Sequence, residues 1–463
     1  MFFAGREAAL ATTECIQSRF RFARHFTREV VGEFSGGKMT SDAGALLLRE
    51  ADQELNLLRR FSRCFVDGRN PIFIEHTLEQ MIAQRVYGLA LGYEDLNDHE
   101  QLRYDPLLGV LAGKAEAGEQ ALAGKSTLNR MELGDSAPDR YKKITYCQEA
   151  IDDLLVDTFL EAQAEAPEEI VLDVDTTDFA IHGQQEGRFY HGYYDQYCYL
   201  PLYVFAGEHV LCARLRQSNI DPSAGSVNEL ERIIRRIRAR WPEVKIVLRG
   251  DSGFCREQLM SWCEAQQVDY VFGLARNSLL EKIAGGALEE ARQQWEQTQR
   301  PARVFVEFEH ETVSGTWNRR RRVVAKAEHI AGKSNPRFVV TSLGAVAWSA
   351  QQLYEDLYCA RGDMENRIKE QFALFADRVS AATMRANQLR LYLSVMAYSL
   401  ISGLRRLGLR ATEWAHAQVA TIRLRLLKIG AHIRVTVRKV WIEMSSSFPL
   451  QNLFSQALQQ LRC

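Results

Sequence analysis

At 463 residues the chain is about three times the ~150-residue prior for one domain, so two or three domains around a large buried core are expected. Hydrophobic residues at 46% and charged residues at 25% describe an ordinary globular protein, and ten prolines with thirty glycines exclude collagen-like or low-complexity character. Lys and Arg number 58 against 59 Asp and Glu, a formal charge of −1, which excludes a uniformly basic coat but leaves room for a local basic surface.

In chain order, the opening MFFAGREAAL is interrupted by Arg6 and Glu7 before it reaches signal-peptide length, so no export signal is expected. The nine cysteines, from Cys15 to Cys463, contain no CxxC pair, which argues against a disulfide framework or a zinc ribbon and fits a reducing cytoplasm. Residues 1–165 read as mainly helical: SDAGALLLREADQELNLLRRF and HTLEQMIAQRVYGLALG repeat apolar residues at helical spacing, and GRNP is a turn between them. From 166 to 276 the texture changes. IVLDVD, the Tyr-rich RFYHGYYDQYCYLPLYVFAG and HVLCARLRQSN predict a three-stranded meander, followed by a helix (SVNELERIIRRIRARW), a strand (VKIVLRGD), a helix (REQLMSWCEAQQ) and a strand (VDYVFGLA). Residues 277–345, with ARVFVEFEHETV, RRRRVVAKAEHI and RFVVTSL, predict an inserted β subdomain. Helical spacing resumes over 346–404, where LYLSVMAYSLISGL, bounded by Arg390 and Arg405, is shorter than the ~20 residues of a membrane span and predicts a buried helix. Residues 405–463 form a basic C-terminal region. Nine Lys/Arg between 401 and 440 (Arg405, Arg406, Arg410, Arg423, Arg425, Lys428, Arg434, Arg438 and Lys439) face one acid, Glu413, which makes this stretch either a DNA-contacting surface or a solvated helix face.

Three acids stand out. Strand alternation puts Asp173 and Asp175 of IVLDVD on one face, away from Leu172 and Val174. Asp251 ends the apolar run VKIVLRGD at its carboxyl end, where open α/β sheets place ligands, although an Asx turn into Ser252-Gly253 is an equal reading. Tyr358, Arg361, Glu365 and Lys369, spaced three, four and four apart, predict one stripe on a helix bordering the core, with an Arg361–Glu365 ion pair as the plain alternative.

An acid mid-sheet, an acid at a later strand end and a glutamate on a later helix together resemble the Asp-Asp-Glu transposases of bacterial insertion sequences. The blocks GYEDLNDHEQLRYDP, STLNR, LDVDTTD, HGQQ, YHGYYDQYCYLPLYVF, LRGDSGF and ARGDMENRIKE, spread from about Gly36 to the C-terminal helices, resemble insertion-sequence family thirteen-eighty in particular. The resemblance implies an α/β fold: an RNase H-like catalytic core interrupted by a β-rich insertion, with a helical N-terminal DNA-binding domain and the basic C-terminal region. Asp251 and Glu365 are separated by 113 residues, the place of that insertion. It implies Asp175, Asp251 and Glu365 as catalytic metal ligands, with Asp173 the reserve for Asp175. It further implies two Mg²⁺ ions, with Mn²⁺ as a substitute, held about 3.5–4 Å apart to activate water or a DNA 3′-hydroxyl. Tyr358 and Arg361 are implied to hold DNA phosphates. The signature lysine position is Phe372, which passes that role to Lys369 or leaves it absent. Arg423, Arg425 and Lys428 are candidate phosphate contacts in the basic stretch. The partners implied are inverted-repeat DNA and target DNA, bound by a homodimer in the synaptic complex, with no membrane. The rivals are an RNase H-fold nuclease that cuts without joining and a domesticated DNA-binding protein.

Two other signals carry less. GEFSGGK puts Met39 where a phosphate loop needs Ser or Thr, and AGKST would need a glycine at Glu119, so nucleotide hydrolysis is not expected. The acids and His99 of YEDLNDHEQL read as a helix turn with capping aspartates rather than as a metal site.

Overall fold

The computed structural model describes residues 19–114, 120–134, 139–312 and 315–462. The N-terminal stretch read for an export signal, Glu119, Cys15 and Cys463 lie outside them.

The N-terminal helices include Leu46–Leu55 (α1), Leu78–Leu91 (α2) and Gln148–Ala162 (α3). A capping box between Thr77 and Gln80 starts α2, and Gly92, at φ +97°, ends it in the left-handed region where glycine is unstrained. Short strands that helical spacing does not announce also occur here. Phe20–His25 forms a hairpin with Arg28–Gly32, Phe65–Asp67 pairs with Ile144–Tyr146, and Met39–Thr40 pairs with the distant Ala431–Val435.

The central sheet starts at Glu169–Thr176 (β1), followed by Leu202–Ala206 (β2), His209–Arg214 (β3), a helix at Ser226–Arg240 (α4), Lys245–Gly250 (β4), a helix at Glu257–Ala265 (α5) and Asp269–Leu274 (β5). The meander is present, with β2 antiparallel to both β1 and β3, while β4 lies parallel to β1 and β5 parallel to β4. The Tyr-rich segment is more than one strand. Before reaching β2 it folds into a small sheet of Phe179–Ala180, Phe189–His191 and Gln196–Tyr199.

The insertion holds Ala302–His310 (β6), Arg321–Ile330 (β7) and Arg337–Thr341 (β8), but these strands do not form a sheet of their own. They extend the central sheet in the order β3-β2-β1-β4-β5-β8-β7-β6, because the open edge of β5 pairs antiparallel with β8. Helices at Ser278–Ile283 and Gly285–Thr298 also make the insertion less β-rich than its strand segments suggest.

Ile170, Leu172 and Val174 of β1 pack with Ile233 and Ile237 of α4 and Met260 of α5 on one face of the sheet. The other face, with Tyr203 and Phe205, meets Gly362–Ala373 (α6) and Met384–Gly408 (α7). Helix α7 is apolar nearly all round and buried as the sequence predicts, because α1 and α2 cover the side that the sheet leaves open. Each leucine buried there contributes about 1.5–3 kcal/mol. Among the described residues no helix is long and apolar enough to cross a membrane.

Candidate active site

Strands β1 and β4 set the geometry. Their parallel register pairs Arg249 with Asp173 and Gly250 with Val174, so Asp175 and Asp251 come next, at neighbouring strand ends and on one face. Burial pushes the Asp175 carboxyl up to about 6, opposed by Arg361, while Asp251 and Glu365 add like charge from nearby. Asp251 does make the Asx turn allowed by the sequence, its Oδ1 accepting the Gly253 N–H at 2.8 Å.

The third acid arrives on an irregular helix. Leu353–Tyr358 is π-helical, Cys359–Arg361 is a 3₁₀ turn, and regular α-helix begins only with α6. The single α-helical stripe expected from the spacing of Tyr358, Arg361, Glu365 and Lys369 is therefore corrected: only Glu365 and Lys369 share the regular helix. The wide turns carry Tyr358 back over β5, where a Cβ on Gly273 would lie 2.6 Å from its hydroxyl. Arg361 donates at 2.8 Å to Asp175 Oδ2 and at 2.8 Å to Glu365 Oε1, bridging two of the three expected acids. Lys369 is exposed, and Phe372 packs edge-to-face on Phe179 with ring centroids 5.9 Å apart.

Asp173 has a different situation. Arg249 grips both of its oxygens, at 2.5 and 2.7 Å, and donates from its remaining nitrogen to the Leu357 carbonyl at 2.6 Å. Both side chains are buried, so Asp173 is already neutralised and Asp175 is the acid turned toward Arg361 and Glu365. Sequence reasoning passed over Arg249. Its signal was a base at the end of an apolar run, two residues before Asp251.

The donor set suits a hard divalent cation, since Asp175, Asp251 and Glu365 offer only carboxylate oxygens. As arranged, no three His, Cys, Asp or Glu among the described residues are grouped to hold a metal. The Arg361 guanidinium stands between Asp175 and Glu365.

The basic stretch divides: Arg405, Arg423 and Lys428 are engaged inside the fold, while five of its nine cations, Arg410, Arg425, Arg434, Arg438 and Lys439, are exposed. Arg423 donates to the carbonyls of Ala90 at 2.9 Å and Ala373 at 2.8 Å, and Lys428 pairs with Asp42 at 2.5 Å. Arg405, 1% exposed, is held by Glu370 at 2.9 Å. Carboxylates and helix-end carbonyls far away in the sequence draw these cations inward. Arg425 stays exposed, 5.3 Å above the Trp414 ring, as do Arg434, Arg438 and Lys439 on the hairpin of Ala431–Val435 and Val440–Met444. In YEDLNDHEQL, Asp95 caps a 3₁₀ turn, and His99 is fully buried between Gln84 and Arg85.

A family model described as transposase DDE domain group 1 matches residues 22–463. Among solved structures, the cryo-EM structure of the piggyBac transposase synaptic complex with hairpin DNA aligns with a TM-score of 0.40 at 10% identity, covering 91% of this chain and 81% of that chain. No curated protein matches the sequence.

Proposed function

The chain belongs to the transposase DDE domain group 1 family, and from that premise we propose that it cuts DNA at the inverted-repeat ends of an insertion sequence and joins the 3′-hydroxyl ends to target DNA. The observation that carries this reading is the meeting of Asp175 and Asp251 at adjacent parallel strand ends, with Glu365 tied to Asp175 through Arg361. The strand order β3-β2-β1-β4-β5, with only β2 reversed, supports an RNase H-like core. The sequence blocks support the narrower placement in insertion-sequence family thirteen-eighty.

In this reading Asp175, Asp251 and Glu365 hold two Mg²⁺ ions. When bound, the ions lower the pKa of an attacking water or hydroxyl and neutralise charge on the leaving oxygen. The chain's own residues supply position. Arg249 and Asp173 lock β1 to β4 and to the turn before Tyr358, so the three acids keep their mutual placement. Arg361, released from the acids, is placed to receive a phosphate in bidentate fashion, with the Tyr358 hydroxyl beside it. A homodimer holding two ends fits the same chemistry.

The test is cleavage and joining of DNA carrying the inverted repeats from the gene's flanks, with purified protein and Mg²⁺ at low salt. Asp175→Asn, Asp251→Asn and Glu365→Gln are each expected to abolish cleavage and leave end binding nearly intact. Cleavage without joined product at every protein concentration identifies the nuclease, and binding without cleavage by the wild type identifies the DNA-binding protein. Loss with Asp173→Asn but not with Asp175→Asn would reverse the choice of first ligand.

A further inference from the structure

The segment Arg188–Tyr199 has no part in the chemistry above, yet it is built onto the catalytic strand. Phe179–Ala180, separated from the end of β1 by two residues, pairs with Gln196–Tyr199, and that strand pairs in turn with Phe189–His191. Gln196 Nε2 donates at 2.5 Å to Asp178, which lies three residues beyond Asp175 at the end of β1. The hairpin therefore stands at the mouth of the candidate site.

Its outer surface is aromatic. Tyr193 is 86% exposed and Tyr190 52%, with Phe189 and Tyr197 also exposed. Tyr190 and Tyr197 are direct cross-strand partners 5.6 Å apart, the Tyr190 hydroxyl is held by Asp195, and the Arg188 guanidinium lies 3.7 Å from the Tyr197 ring centroid. Four rings left in water within nine residues call for a partner with flat apolar faces. The tethered Tyr190 and the capped Tyr197 hold their rings in place before any partner arrives. Asp195 is the one acid between Arg188 and Tyr199, and the Tyr190 hydroxyl engages it, while Arg188 suits a phosphodiester partner.

We propose that this hairpin is a stacking platform for unpaired nucleobases of the DNA strand next to the scissile phosphate. The proposal rests on the transposase reading. A platform at the mouth of the site would grip the nucleotides that must leave the duplex for a strand end to reach Asp175 and Asp251. Stacking on tyrosine tolerates any base, so the platform selects unpaired over paired DNA rather than one sequence over another.

The test uses full-length protein and repeat-end DNA bearing 2-aminopurine beside the cleavage position, either fully paired or mismatched there. The wild type is expected to change the 2-aminopurine fluorescence and to prefer the mismatched DNA by about tenfold, within the range of one stacked base. Tyr193→Ala with Tyr197→Ala should lose both signals, and Tyr193→Phe with Tyr197→Phe should keep them, since the rings remain. An alanine pair that keeps the preference and the fluorescence change overturns the platform. So does an alanine pair that dissociates a DNA-free oligomer in sedimentation, because the rings would then belong to a contact between copies of the chain. A wild type that binds no repeat-end DNA sinks the transposase reading and takes the platform with it.

Discussion

Arg361 bridges Asp175 and Glu365, two of the three acids proposed to hold metal. Its two hydrogen bonds make it the counter-ion of buried Asp175 and of Glu365, so an ion entering the site competes with it. Arg361→Ala should therefore tighten Mn²⁺ binding by the DNA-free protein by up to about tenfold, or ~1.4 kcal/mol, in a calorimetric titration. The same variant should lower the salt slope of end binding by about one, since a phosphate contact is lost. Weaker Mn²⁺ binding would instead mean that the guanidinium organises the acids. His99 gives a second residue-scale expectation. Burial, with the Arg85 charge adding, holds its pKa down to about 3, and the Arg85 guanidinium and the Gln84 amide nitrogen each lie 3.0 Å from a ring nitrogen. The unfolded chain takes up this proton near 6.5 and the folded chain does not, so stability is full above about pH 6.5 and falls below it, by about 1.4 kcal/mol per pH unit. Urea midpoints measured at pH 7.5 and 5.5 should differ less in His99→Gln than in the wild type, even if the variant is weaker at both.

At the scale of elements, Arg249 joins three of them: β1 through Asp173, β4 through its own backbone, and the π-helical segment through the Leu357 carbonyl. Removing one member of such a buried pair strands the other, at a cost of about 3–5 kcal/mol. Arg249→Met should lower the unfolding free energy read from urea titration by that amount, and the double variant with Asp173→Leu should recover much of it. A full loss in the double variant would mean that the Leu357 contact, not the ion pair, is the main tie. The strands bearing Asp175 and Asp251 were legible in the sequence because alternation and a carboxyl-terminal acid are local patterns. The π-helical turns before α6 were not, because a widened turn leaves residue spacing unchanged and depends on how Tyr358 meets Gly273. The inward partners of Arg423 and Lys428 were hidden for a related reason. A run of cations states its charge, while the partners that draw it inward, Ala90, Ala373 and Asp42, are supplied by tertiary folding. The insertion strands were visible as strands, but nothing local states that the β5 edge is open to receive β8.

At the scale of the whole molecule, the single core around α7 ties the N-terminal helices to the catalytic sheet. Gly403 lets α1 approach so closely that a Cβ there would lie 2.3 Å from Leu55 Cδ1. The C-terminal region is bound into the same body, since the Ala431–Val435 strand pairs with Met39–Thr40. With a formal charge of −1 overall, long DNA has to be held by local basic surface, and the hairpin bearing Arg434, Arg438 and Lys439 presents such charge on a rigid, paired support. Hydrolysis of a small activated phosphodiester needs only the acids and their ions, whereas joining needs the cut end and target DNA held together through two successive reactions. Charge reversal at Arg434, Arg438 and Lys439 should therefore suppress joining of pre-cut ends into a plasmid far more than hydrolysis of the small ester, and the deficit should widen as salt rises. The same reversal at Arg423 and Lys428 should act through stability instead, lowering the melting temperature and both activities together. If the hairpin variant joins ends as well as the wild type across the salt range, the grip on DNA lies elsewhere, with the N-terminal helices the next surface to test.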